Sequence, residues 1–326
     1  MRQHAFGPLA PVSSLTLGGG GLGMVWGKTT FAECVRTVQD ALAAGITLLD
    51  LAPSYGDGKA EEVVGAALEG QLPARVRVTS KIRLGDMAPE GIEAAVRGSI
   101  EASLARLRLS RIDLFLLHSD VVPDRAFIAT RPADDGERMT PYATFVDHVR
   151  PLFERLVGEG VIGAWGLTGI GHPDTLIRLL GETVKPAAIQ CIANLLNSAG
   201  GLQRFDGPSR AREIIAVARS NGVGVMGIRA VQAGALTSNI DRLVAPDHPV
   251  RLDFVRAARF RALCADLDVS PALLAHRYAL SLDIDTLVLG VKNRRELAEC
   301  VAAAEAGPLP ADLIAYIDAS VSGEVA

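Results

Sequence analysis

Short apolar runs of four to seven residues alternate along this chain with longer segments whose apolar positions recur every three or four residues. The runs are LTLG from Leu15, ITLLD from Ile46, VRVTSK from Val76, IDLFLLH from Ile112, IGAWGLT from Ile162, AAIQC from Ala187, VGVMGI from Val223 and DTLVLGV from Asp285. Runs this short and this continuously apolar are the pattern of strands buried on both faces. Between them, the stretch after Gly91 sets Ile92, Ala95, Val96, Ser99, Ile100, Ser103, Leu104 and Leu107 at helical steps. AEEVVGAALEG does the same with Ala60, Val63, Val64, Ala67 and Leu68, and Gly70 is the expected C-terminal stop. Parallel strands need crossovers long enough to hold a helix, so eight such units predict an α/β fold, a closed (β/α)8 TIM barrel. The expectation is a single barrel domain over residues 1–326 with its active site at the C-terminal face. Residues 119–143, rich in Asp, Pro and Arg, and residues 237–252, with Pro246 and Pro249, break the rhythm after strand ends. Both are expected to be long mouth loops that shape a substrate pocket.

Composition narrows the class. The chain has 326 residues, 49% hydrophobic and 21% charged, with net charge −4. Lys and Arg are scattered, which argues against a nucleic acid or an anionic membrane as partner and leaves a small molecule. No apolar run reaches the roughly 18 residues of a membrane span, and MRQHAFGPLAPVSS lacks the apolar core of a signal peptide, so the cytoplasm is the expected location. Cys34, Cys191, Cys264 and Cys300 stand singly, and His4, His118, His148, His172, His248 and His276 are all isolated. Neither a disulfide framework nor a metal site is expected.

GGGGLG at residues 18–23 satisfies G-x-G-x-x-G with Gly18, Gly20 and Gly23. A dinucleotide fingerprint should open a helix directly, however, and here Met24 to Lys28 intervene. The better reading is a flexible loop at the mouth that lets backbone approach a ligand, with Trp26 as an apolar wall.

The chemistry gathers at strand ends. Asp50, Tyr55, Lys81 and His118 lie at or just beyond three successive apolar runs. A lysine among apolar strand ends keeps its charge only beside a carboxylate, which Asp50 is placed to supply, and an ammonium favours a neighbouring phenolate. A neutral imidazole can donate a hydrogen bond to a carbonyl oxygen and orient it toward the phenol. Such a set polarises and protonates a carbonyl but holds no reductant, so a cofactor must bring the hydride. Met24, Trp26, Phe127 and Tyr142 are candidates to line the pocket, and Asp120, Asp124, Asp134 and Asp135 argue mildly against an anionic substrate.

These residues resemble the aldo-keto reductase superfamily. LLDLAPSYGDGKAEEVVGAAL is similar to the family's aspartate and tyrosine segment, VTSK to its lysine strand, and SLARLRLSRIDLFLLH to the strand ending in its histidine. The resemblance continues through EGVIGAWGLTG, IQCIANLL and VLGVKNRRELAE. It implies reduction of aldehydes or ketones, or oxidation of sugar and other alcohols, with Tyr55 as general acid/base, Lys81 and Asp50 tuning it, and His118, with Met24 and Trp26, meeting the substrate. An accessory subunit that binds the dinucleotide without turnover is the alternative. By the same resemblance Thr168, Gly169, Gln190, Ile228, Arg229, Ala230, Gly234, Lys292, Asn293, Glu296 and Glu299 hold the cofactor. Gly169 replaces the family's usual asparagine and Ile228 stands where an aromatic often stacks. These departures resemble the branch with galactose- and fucose-type sugar dehydrogenases. Lys292, Arg294 and Arg295 favour the 2′-phosphate of NADP(H), while Glu296 favours a ribose hydroxyl and leaves NAD(H) as the other choice.

Overall fold

A computed structural model describes residues 1–322. A two-stranded hairpin, β1 (Gln3–Phe6) and β2 (Leu9–Ser13), precedes the first barrel strand, β3 (Leu15–Gly18). Then follow β4 (Leu48–Asp50), β5 (Arg77–Ile82) and β6 (Leu114–Leu117). A two-stranded parallel insert, β7 (Asp120–Val122) and β8 (Met139–Pro141), comes next. The chain returns to the barrel with β9 (Trp165–Gly169), β10 (Ala188–Ile192), β11 (Gly224–Ile228) and β12 (Thr286–Leu289). The eight barrel strands are parallel and ordered β3-β4-β5-β6-β9-β10-β11-β12, and β12 closes onto β3 through Leu287↔Leu15 and Leu289↔Leu17.

All eight apolar runs are therefore barrel strands. Strand parity decides what each presents. Outward residues such as Phe115, Leu117, Leu167 and Ile189 pack under helices, including Pro89–Leu107, which buries Ile92, Val96, Ile100, Ser103 and Leu107. Inward residues Leu48, Leu114, Leu116, Ala188 and Met226 fill the lower barrel with Phe6 and Val12 of the hairpin. The hairpin thus plugs the N-terminal end. One step higher, the inward positions are Asp50, Lys81, His118, Thr168, Gln190 and Ile228, where apolar filling gives way to polar side chains.

Three expectations need correction. The helix Lys59–Leu68 ends on Glu69, which itself takes the left-handed conformation (φ 51°) ahead of Gly70. Residues 119–143 are not one open loop, because β7, β8 and the short helices Arg125–Ala129 and Ala133–Gly136 lie within them. Similarly, 237–252 runs into the helix Pro249–Arg256. The glycine-rich segment is not a flexible loop either: Gly19–Leu22 is a buried helical turn. Its glycines are required by close contact, since a Cβ at Gly21 would collide with the Val291 carbonyl and one at Gly23 with the Tyr55 carbonyl.

Candidate active site

Lys81 reaches the mouth from β5 fully buried, and its three ammonium protons are all used. Its Nζ donates to Asp50 Oδ2 at 2.9 Å, to the Leu51 carbonyl at 2.9 Å and to Tyr55 Oη at 3.2 Å. Asp50 is fixed in turn by the Thr79 hydroxyl, which donates to its Oδ1 at 2.8 Å. Thr79 and Asp50 are neighbours in the β4–β5 register, so both face inward at one level. Burial works against the Lys81 charge, but Asp50 and Tyr55 outweigh it and the ammonium is held above its ordinary value.

Tyr55 follows β4 by five residues and is half-buried. Its ring meets His118 edge to face, with centroids 5.8 Å apart, and Lys81 Nζ lies 4.7 Å from the ring centre. Desolvation raises the phenol above its ordinary value and Lys81 only partly offsets it. The expected lowering is thus outweighed, because taking a phenolate out of water costs more here than one already paired ammonium returns. His118, just beyond β6, is pushed well below 6.5, first by burial and then by the positive charges of Lys81, Arg83 and Arg138. Its Nδ1 lies 3.4 Å from Ser54 Oγ. At neutral pH this corner holds a protonated phenol, a neutral imidazole, a buried ammonium and a carboxylate. It can give one proton to an oxygen lodged between Tyr55 and His118.

The strands that follow β6 around the mouth offer a different surface. Thr168 and Gln190 are register partners on β9 and β10. The Thr168 hydroxyl donates to the Leu117 carbonyl at 3.0 Å, while Gln190 Nε2 is buried without a hydrogen-bond partner among the described residues. A buried, unpaired amide nitrogen is costly unless a ligand acceptor meets it, so this position fits the carboxamide of a nicotinamide. Gly169 is packed so tightly on β10 that a Cβ would sit 2.5 Å from the Gln190 carbonyl, so a side chain here would force the backbone to shift. Ile228 ends β11 beside Ile170 and Ile192, an apolar rim where an aromatic platform was expected to be missing.

After β11 the chain takes left-handed φ at Arg229 (62°), Gln232 (45°), Ala233 (50°) and Gly234 (92°). Three of these are not glycine, and such strain concentrates where backbone N–H groups are aimed at a ligand. Arg229 Nε donates to Gln232 Oε1 at 2.7 Å, and burial lowers its guanidinium to about 10. Ala230 is buried beneath this turn.

The loop after β12 is less cationic than its sequence. Lys292 pairs with Glu296 at 2.9 Å and with Asp241 at 3.3 Å, and Arg294 holds Glu33 at 3.1 Å. Asn293 caps the helix Arg294–Glu305 by accepting from the Glu296 N–H at 2.9 Å. Only Arg295 of the three cations has no ion pair among the described residues, and Glu299 is exposed one turn further on. The count of three cations against one anion is corrected to three against three.

Among the expected pocket residues, Met24 is exposed and Trp26 half-buried against Gly20 and Gly290. Phe127 meets His172 with ring centroids 5.5 Å apart, and Arg131 lies over its ring. Tyr142 does not reach the mouth: it bonds Glu182 and packs beneath Arg178 on the outer helices. The acidic residues are no argument about substrate charge, since Asp120 is buried on Arg204 at 3.0 Å, Asp135 binds the same arginine at 3.0 Å, and Asp124 caps a helix. Sequence reading missed Thr79, Arg83, Arg138 and Arg204. Arg83 was open to detection, as it stands two residues from Lys81 and shares its inward parity.

No group of His, Cys, Asp or Glu among the described residues could hold a metal ion, and no described helix is long and apolar enough to cross a membrane. A family model described as "Aldo/keto reductase family" matches residues 14–322. L-galactose dehydrogenase of Arabidopsis thaliana is 25% identical over 296 residues, covering 90% of this chain and 84% of that protein. The solved glycerol dehydrogenase of Gluconobacter oxydans superposes with a TM-score of 0.72 at 22% identity, covering 99% of this chain and 96% of that one. An aldo-keto reductase of Klebsiella pneumoniae, solved in complex with NADPH, gives 0.68 at 21% identity, over 98% and 95%. With a parallel eight-stranded barrel, four polar side chains at one corner of its mouth and a family match spanning nearly the whole sequence, this chain belongs to the aldo/keto reductase family of oxidoreductase enzymes.

Proposed function

We propose that the protein reduces small aldehydes or ketones, or oxidises the corresponding alcohols and sugars, with Tyr55 as the proton-transferring residue. The observation that carries this reading is the contact of Lys81 Nζ with both Asp50 Oδ2 and Tyr55 Oη, at 2.9 and 3.2 Å. Bound at Thr168, Gln190 and the turn after Ile228, a nicotinamide dinucleotide would supply or accept the hydride. Tyr55 donates its proton to the carbonyl oxygen as negative charge grows there, and the adjacent Lys81 ammonium stabilises the phenolate left behind. Asp50 keeps Lys81 charged and aimed. His118, neutral at working pH, donates a hydrogen bond to the same oxygen. In oxidation the phenolate takes the alcohol proton, so one set of groups serves both directions.

NADP(H) is the favoured dinucleotide in this reading, on the strength of Arg295 and of the NADPH held by the Klebsiella relative. Glu296 and the pairing of Lys292 and Arg294 with carboxylates keep NAD(H) as the second choice. Purified protein offered NADPH or NADH with a panel of aldehydes, ketones and sugars should turn over at least one of them. Tyr55→Phe should lower kcat about 10²- to 10⁴-fold while dinucleotide affinity stays within about twofold. No turnover across the panel by protein that binds the dinucleotide would refute the reading.

A further inference from the structure

The corner beside Tyr55 carries positive charge that proton transfer does not use. Ile82 pairs with Leu117 in the β5–β6 register, so Arg83 falls beside His118 at the next step. Its position is pinned by the Leu84 and Gly85 N–H groups, which donate to Ser119 Oγ at 2.8 and 3.1 Å. Arg138 arrives from the insert, where its carbonyl accepts from the Asp120 N–H at 2.8 Å. Arg204 completes the group but is engaged, with Nη1 on Asp120 and Nε on Asp135, both at 3.0 Å. Among the described residues, neither the Arg83 nor the Arg138 guanidinium has a hydrogen bond or ion pair. Arg204 alone contacts the buried Asp120 carboxylate, while the charges of Arg83 and Arg138 act on the same carboxylate from the neighbouring positions.

The electrostatics follow from that placement. Arg83 is exposed at the mouth, and its guanidinium is lowered by partial desolvation and then by the repulsion of Arg138 and Arg204, with Asp120 offsetting part of it. The same two free cations act on His118. Like charges that outnumber their counter-ions are unfavourable, and an anion set among them relieves the repulsion. This anion is not the dinucleotide's phosphate. In the cyclic strand order β5 lies opposite β11, where the strained turn at Arg229 to Gly234 stands, and the Lys292 loop follows the adjacent β12.

We propose that Arg83 and Arg138 bind an oxyanion carried by the substrate, a carboxylate or a phosphate a few bonds from the reacting carbonyl. This rests on the oxidoreductase reading above and narrows its substrates to oxo- or hydroxy-acids and phosphorylated aldehydes. Guanidiniums suit either group through paired N–H donors, and placing them beside His118 fixes which end of the substrate enters first.

Matched substrates test the idea: succinic semialdehyde against butanal for the carboxylate, and D-glyceraldehyde 3-phosphate against D-glyceraldehyde for the phosphate. In at least one pair the charged member should have kcat/KM about 10- to 100-fold higher, and the pair in which it does so identifies the oxyanion. Arg83→Met and Arg138→Met should each cut that ratio about tenfold or more, chiefly through KM, with Arg83→Lys restoring part of it. Calorimetry with succinate and with inorganic phosphate, on protein saturated with NADP+ or NAD+, supplies a readout that needs no turnover. Binding of at least one anion, weakened about tenfold in both methionine variants, supports the proposal. Neutral members preferred in both pairs, ratios unmoved by the variants, or no anion bound would overturn it. Failure of every substrate with anion binding intact would count instead against the oxidoreductase reading alone.

Discussion

His118 illustrates how one side chain's surroundings set its chemistry. Burial and three neighbouring cations keep its imidazole neutral where an unfolded chain would bind a proton near pH 6.5. As pH falls from 7.5 to 5.5 the unfolded state therefore takes up a proton that the native state refuses, and stability declines by as much as about 1.4 kcal/mol per pH unit from this group. Asp120 pulls the other way: burial raises its carboxyl to about 6, so over the same range the native state gains protons first. The opposing terms are separated by substitution. His118→Gln should lose less stability than the parent between pH 7.5 and 5.5, read as the shift in urea midpoint, and an equal loss in both would show that His118 is not held neutral. Asp50, Lys81 and His118 were legible because each is a polar residue closing an apolar run, and Tyr55 because it follows the first of those runs by five residues. Arg83 was legible only through the inward parity it shares with Lys81, because just beyond the run an arginine otherwise looks like any solvated loop residue.

At the scale of elements, buried parallel strands are easy to read because both faces are apolar, and all eight runs are found in the barrel. The hairpin β1–β2 was not legible: Pro8 and Pro11 interrupt it, and of its nine strand residues only Phe6, Val12 and Ser13 are buried. Nor were β7 and β8, three residues each inside a segment of Asp, Pro and Arg. The glycine cluster was read as a freely moving loop because sequence shows absent side chains without showing what occupies their space. Here the occupants are the Val291 and Tyr55 carbonyls and the Trp26 ring. A methyl group at Gly23 must push the Tyr55 carbonyl away, moving the phenol relative to Lys81. Gly23→Ala should keep the circular dichroism of the parent yet lose about 100-fold in kcat, as an ångström-scale misplacement of a reacting group commonly costs. Near-parental activity would mean that the turn yields instead of the tyrosine segment.

Over the whole molecule, the two sides of the mouth carry opposite electrostatic arrangements, and this bears on the choice of dinucleotide. Beside β5 the guanidiniums stand free, whereas beyond β12 carboxylates from three separate parts of the chain quench the cations: Glu33, Asp241 and Glu296. Hydrogen bonds from Arg294 hold the half-buried Glu33 carboxyl down at about 2. A 2′-phosphate entering this loop must compete with Glu33 for Arg294, which reduces the NADP(H) advantage that three unpaired cations would give. A ligand at 100 times its Kd adds about 2.7 kcal/mol to stability, and each tenfold difference in Kd changes that figure by about 1.4 kcal/mol. Thermal unfolding with equal concentrations of NADP+ and NAD+ should therefore show the larger rise in Tm for NADP+. Glu33→Gln should widen the gap, because it leaves the Arg294 guanidinium to the phosphate while a ribose hydroxyl gains little from it. A larger rise with NAD+, or a gap indifferent to Glu33, would mean that Glu296 sets the preference and that Arg294 serves only to fasten the helix Arg294–Glu305 to the helix Phe31–Ala43.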